Sequence, residues 1–282
     1  MSEMAKRVLV SIIFIPVLLI ALYYGGIALV LMFLFVSILG SQEYISMMRK
    51  VGVNFSYTWV FVYSVLYVGF VYLPGIEISI LWLGVLLLLI GNLIHWDPQG
   101  SIPRLATGVF GIIYTALFPA MVVKIGLYDP VNKILLALIV MIWIVDSSAY
   151  FIGMRFGKNR GVIAVSPRKS IEGFIAGLLA PCLVLMFLYI CKIHIMPWSN
   201  LFLIAIAAGV FGQMGDLVES MLKRYVGVKD SSSLIPGHGG ILDRTDSILV
   251  AGSFYYCVVQ ILNTEVIRHW IYVFRIMLQA KA

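Results

Sequence analysis

The sequence predicts an all-α integral membrane protein, a polytopic bundle of about nine transmembrane helices with its active site at the cytoplasmic end. Three observations carry that prediction. Of 282 residues, 62% are hydrophobic and only 12% charged, with a mean hydropathy of +1.03, so a water-facing fold would expose far too much hydrocarbon. Long apolar runs recur along the chain, each near the roughly 20 residues a helix needs to cross the bilayer core. Ionisable residues collect in two stretches, 154–172 and 219–246, the only connections long enough to hold more than a turn.

The runs lie at 8–24, 26–48, 57–73, 78–94, 106–125, 133–153, 173–192, 200–218 and 247–263. The first follows Lys6 and Arg7 without a small-residue cleavage pattern, so it reads as a retained helix and not as a signal peptide. The sixth ends on Asp146 and Tyr150, and the eighth ends in GDLVESMLKR. A ninth helix starting near Leu242 carries the acids of GHGGILDRTDS, residues 237–247, in its first turn. The tail, 266–282, mixes Trp270, Tyr272 and Phe274 with Arg275 and Lys281, the composition of an interfacial helix or a short tenth span.

With the N-terminus inside, fourteen of the twenty Lys and Arg fall in inner connections, which places both polar stretches on the cytoplasmic face of an inner (plasma) membrane. The formal net charge of +7 follows from this topology and does not call for a nucleic acid. The chain reads as one transmembrane domain: N-terminal helices over 1–130, catalytic helices and loops over 131–265, and the tail. Cys182, Cys191 and Cys257 match neither a CxxC metal pair nor a disulfide framework.

Asp216, Glu219, Ser220, Lys223 and Arg224 recur at helical spacing and share one face. An ionised carboxylate inside a span costs about 2.5–3.5 kcal/mol, so Asp216 and Asp146 are expected to face a polar cavity. Asp243, Asp246 and Ser247 project together from the ninth helix, a hard-oxygen set suited to Mg²⁺ held jointly with substrate phosphates. PGHGG before them supplies backbone freedom for an anion-binding nest. Basic residues in both connections, among them Arg168, Lys169, Lys223, Arg224 and Lys229, complete what phosphoryl or nucleotidyl transfer requires. GMRFGKN has three residues between its glycines and Asn159 where a P-loop has Ser or Thr, so it is not one. GFIAG, residues 173–177, places two glycines on one helix face for close packing.

SMLKRYVGVKDSSSLIPGHGGILDRTD, residues 220–246, resembles the signature of the phosphatidate cytidylyltransferase (CDP-diacylglycerol synthase) family, and DSSAYFIGMRFGK and SPRKSIEGFIAG resemble its two upstream motifs. Arg168, Ser170 and Ile171 stand where relatives usually carry Lys, Thr and Trp. The resemblance implies transfer of CMP from CTP to phosphatidic acid, giving CDP-diacylglycerol and pyrophosphate. It also implies Mg²⁺ (or Mn²⁺), a second, monovalent cation such as K⁺, and a homodimer formed through the N-terminal helices.

On this resemblance Asp216, Asp243 and Asp246 are expected around the metal, with Asp146 and Glu172 as outer or second-metal ligands. Lys169, Ser220, Lys223, Arg224, Lys229 and Arg244 would hold phosphate oxygens, while His238 and the Gly239–Gly240 backbone cradle the departing pyrophosphate. Arg244 could equally pair with Asp243 or Asp246. Two other readings stay open: a transporter, whose polar residues should reach both faces, and a CTP-using enzyme acting on a polyprenol or ether-lipid phosphate.

Overall fold

The computed structural model describes residues 3–129, 131, 133–235, 237 and 239–264. Among them are nine continuous helices: α1 (Glu3–Tyr24), α2 (Gly26–Lys50), α3 (Thr58–Tyr72), α4 (Glu77–Ile94), α5 (Ser101–Tyr128), α6 (Lys133–Phe156), α7 (Ile171–Ile190), α8 (Trp198–Tyr225) and α9 (Leu242–Asn263). Two isolated β-bridges, Arg160 to Ser170 and Ile235 to Gly239, pin the polar connections.

All nine lie where the apolar runs place them, and among the described residues seven are long and apolar enough to span a bilayer. The 15 residues of α3 rise about 22 Å, short of the roughly 30 Å core. The chain is a multi-pass membrane protein. The polar connections are also shorter than expected, 157–170 and 226–241, because α6 and α8 stay helical through their ionisable ends and α9 begins at Leu242. The tail lies outside the described residues.

Two helices carry a π-turn, Ile113–Leu117 in α5 and Ala207–Gly212 in α8. Such a turn inserts an extra residue and re-aims the following face; in α8 that face begins at Gln213. The N-terminal core is built on Tyr44, Tyr63, Tyr67 and Tyr114, all buried. Three of these hydroxyls donate to backbone carbonyls, Tyr44 to Thr107 at 2.7 Å, Tyr63 to Gly108 at 3.2 Å and Tyr67 to Val30 at 2.8 Å, so α2, α3 and α5 are tied by polar contacts inside an apolar core.

The C-terminal half closes through glycines. A side chain at Gly173 would strike the Ala149 carbonyl of α6, and one at Gly177 would strike Gln213 of α8. GFIAG is therefore the packing stripe expected of it, although its two glycines meet different helices. Helix α9 lies at the centre, packed against α8, α5, α6 and α2.

Candidate active site

Beyond its π-turn, α8 presents Asp216, Glu219, Ser220, Lys223 and Arg224 to one cavity of about 530 Å³. The rest of the wall is Asp146 of α6, Arg168, Lys229 and Asp230 of the two polar connections, and Asp243, Arg244, Asp246 and Ser247 of α9. Gly215 lets the backbones of α8 and α9 touch at Asp246 and Ser247, so acids from two helices share one surface.

Lys223 organises that surface. Its ammonium donates to Asp243 Oδ1 at 2.5 Å and forms an ion pair with Glu219 one turn back. The other Asp243 oxygen, Oδ2, accepts from the Ser231 N–H, the Ser231 hydroxyl and the Gly240 N–H, each at 2.8 Å. Asp246 is 8% exposed, and its Oδ1 accepts from the N–H of Ser247 at 2.7 Å. Glu219 is fully buried, and neither of its oxygens accepts a hydrogen bond of good geometry; charge alone couples it to Lys223. From the 157–170 connection, Lys169 pairs with Asp216. Burial lowers the pKa of Lys169, while Asp246 and Asp146 pull it back up and Lys223 pushes it down.

A second cavity of about 480 Å³ shares Asp146, Arg168 and Asp216 with the first and adds Lys169, Tyr150, Met154 and Phe174. Tyr150 and Met154 are 64% and 60% exposed near the end of α6, so this side of the site carries exposed apolar side chains. Its rim is held by Ser170, whose hydroxyl accepts from the Gly173 N–H at 3.2 Å and caps α7, the role open to Ser and Thr alike.

The model of the cytidylyltransferase family matches residues 5–262. The chain belongs to the cytidylyltransferase family. It is similar to the phosphatidate cytidylyltransferase of Thermotoga maritima, 33% identical over 276 residues, which cover 93% of this chain and 98% of the relative. The proteins of that name from Bacillus subtilis and Staphylococcus haemolyticus are 46% and 45% identical over 125 and 122 residues. Those matches cover 44% and 43% of this chain and 46% of each relative, so the chain spans about half the length of these two curated relatives.

In this chain, Asp146, Asp216, Ser220, Lys223, Arg224, Lys229, Asp243, Arg244 and Asp246 share the first cavity, and Lys169 lines the second. Glu172 is placed elsewhere: its carboxylate accepts from the backbone N–H and side-chain amide of Asn159, at 3.1 and 2.8 Å, and so ties the 157–170 connection to the start of α7. Gly239 and Gly240 line neither cavity. The Gly240 N–H is taken by Asp243, and the Gly239 carbonyl accepts from the Ile235 N–H at 2.8 Å. His238 lies outside the described residues. Sequence reasoning missed Glu43, which reaches the 226–241 connection from α2, and Ser231. An ionisable residue inside the second apolar run was the available signal for Glu43.

Among the described residues no three or more His, Cys, Asp or Glu side chains form a ready metal cluster. Asp243 is held by Lys223 and by the N–H groups of Ser231 and Gly240, with the Ser231 hydroxyl shared between it and Glu43. Buried Asp246 and Glu219 nevertheless keep oxygen valence unfilled at the cavity wall, and Asp216 offers a carboxylate paired only through charge. Mg²⁺ bound through one or two carboxylates, with waters and substrate phosphates supplying the rest, fits this donor set; a closed three-carboxylate site does not.

Proposed function

We propose that this protein transfers the cytidylyl group of CTP to phosphatidic acid at the cytoplasmic boundary of the membrane. A monoester oxygen of phosphatidate attacks the α-phosphorus of CTP, the bond to the β-phosphate oxygen breaks, and CDP-diacylglycerol and pyrophosphate result. The observation that carries the reading is the pair of adjoining cavities sharing Asp146, Arg168 and Asp216. The first is walled by acids and cations. The second has an aromatic and aliphatic side suited to a lipid. The name shared by the relatives, phosphatidate cytidylyltransferase, supports the substrate pair.

The phosphate monoester is already a nucleophile, so no activated Ser or Cys is needed. The barrier is repulsion between two anions, lowered by fixed positive charge and by holding the reactants in line. Arg168 lies on the shared wall and serves the lipid phosphate; Arg224, Lys229 and Arg244 face the triphosphate. Lys223, fixed between Glu219 and Asp243, gives a cation that does not swing away. Asp216 and Asp246, with Asp146 beside them, would hold Mg²⁺, which when bound neutralises the triphosphate and polarises the reacting phosphorus. A second, monovalent cation and a homodimer belong to the same proposal.

The test is purified protein with radiolabelled CTP, Mg²⁺ and a panel of lipid phosphates. CDP-diacylglycerol from phosphatidate is the expected product. A labelled product only from polyprenol phosphate would replace the acceptor, and no labelled lipid at all would overturn the reading.

A further inference from the structure

We infer that Glu43, an acid of α2 in the N-terminal half of the chain, is a positioning residue that sets the catalytic wall of α9 and the 226–241 connection. Glu43 is 5% exposed within a membrane-spanning helix, where a carboxylate is costly unless it is fully partnered. It is fully partnered. Oε1 accepts from the Ser232 hydroxyl at 2.6 Å and the Ile241 N–H at 2.9 Å; Oε2 accepts from the Ser231 hydroxyl and the Leu242 N–H, both at 3.0 Å. Four donors surround the carboxylate, one of them the Ser231 hydroxyl that also faces Asp243.

Two of those donors are the backbone N–H groups at the start of α9, which would otherwise lack partners. Helix α9 has no side-chain cap from its own N-cap residue, Ile241; its cap comes from α2. A negative charge there also complements the positive end of the helix dipole. The anion site foreseen at this helix start is therefore filled by the protein's own carboxylate.

From Glu43 a chain of contacts leads into the cavity. Ser231 faces Glu43 with the same hydroxyl that faces Asp243 Oδ2, and Asp243 holds Lys223. A hydroxyl has one proton to give, so Ser231 serves one carboxylate at a time while backbone N–H groups hold Asp243. The Glu43 and Ser231 oxygens also fill the space that a side chain at position 240 would need, which is why Gly240 is glycine. A glutamine at 43 would turn an amide N–H₂ toward one pair of donors. Serine hydroxyls can rotate to accept, but backbone N–H groups cannot.

The experiment pairs a structural readout with a kinetic one. Ser233, exposed in the same connection, is changed to Cys and spin-labelled in full-length protein lacking Cys182, Cys191 and Cys257. Glu43→Gln is then compared with the parent. The label is expected to become more mobile, and kcat per folded molecule to fall roughly ten- to hundredfold, the scale of a misplacement of about 1 Å, with KM changed less than twofold. Ser232→Ala, which removes one Glu43 contact and folds without disturbing the acid, should move both readouts the same way by a smaller factor. Glu43→Asp, keeping all acceptors, should recover part of the loss. Only the kinetic arm rests on the proposed transfer reaction; label mobility is read without substrates. Unchanged mobility and unchanged kcat in both Glu43→Gln and Ser232→Ala would overturn the inference, and if Glu43→Gln does not fold, Ser232→Ala decides alone.

Discussion

Gly215 of α8 and Asp246 of α9 meet backbone to backbone: a side-chain carbon at position 215 would lie 3.0 Å from the Asp246 carbonyl carbon and 3.0 Å from the Ser247 Cα. Neither neighbour is a flexible side-chain end, so the contact cannot be relieved by a rotamer change. It brings Asp216 and Glu219 of one helix beside Asp246 of the other.

Gly215→Val is therefore expected to spread α8 from α9. Overpacking of this kind costs about 1–3 kcal/mol, and CMP transfer should drop at least about a hundredfold because donors must stay in place to within fractions of an ångström. Thermal unfolding in detergent and the labelled-CTP assay measure the two effects; a fully active Gly215→Val would contradict the close contact.

Asp246→Asn tests the metal proposal. The amide has the carboxylate's shape without its charge, and burying a neutral group costs less than burying an ion. Stability is expected to be unchanged or higher while transfer falls by two or more orders of magnitude. Normal turnover with CTP and Mg²⁺ would remove Asp246 from the metal site.

Lys223 stands between two carboxylates that are 0% and 6% exposed. Lys223→Met leaves Glu219 and Asp243 facing each other without a cation, a loss of about 3–5 kcal/mol for a broken buried pair. Adding Glu219→Gln should restore part of the stability and none of the activity. Equal unfolding temperatures for single and double variants would show that the two acids do not compete for this lysine.

Lys169 and Asp216 form a half-exposed pair worth at most about 1 kcal/mol after solvent screening. Lys169→Met releases Asp216, so Mn²⁺ is expected to bind the substrate-free protein roughly two- to fivefold more tightly, followed by electron paramagnetic resonance, while the KM for phosphatidate rises. Weaker Mn²⁺ binding would place Asp216 outside the metal site.

Much of this protein was legible in its sequence because the governing signals are local. Apolar length located all nine helices, and 3.6-residue spacing put Asp216, Glu219, Ser220, Lys223 and Arg224 on one face, where all five line the cavity. The same reasoning does not see which donors the folded connections bring to each carboxylate. Asp243 looks like a free ligand until Ser231 and Gly240 are seen to occupy it. Glu172 looks like part of the acidic set until Asn159 claims it. PGHGG looks like an anion nest, but the Gly240 N–H goes to Asp243 and the next two N–H groups, of Ile241 and Leu242, go to Glu43.

The sequence by itself determined the membrane class, the helix order and the residue types available for anion chemistry, since hydrophobic length and helical period depend only on near neighbours. Which acids remain open at the cavity was decided by tertiary structure alone. A carboxylate inside an apolar bundle must find donors or a cation wherever the fold brings them, and for Glu43 those donors lie almost two hundred residues away.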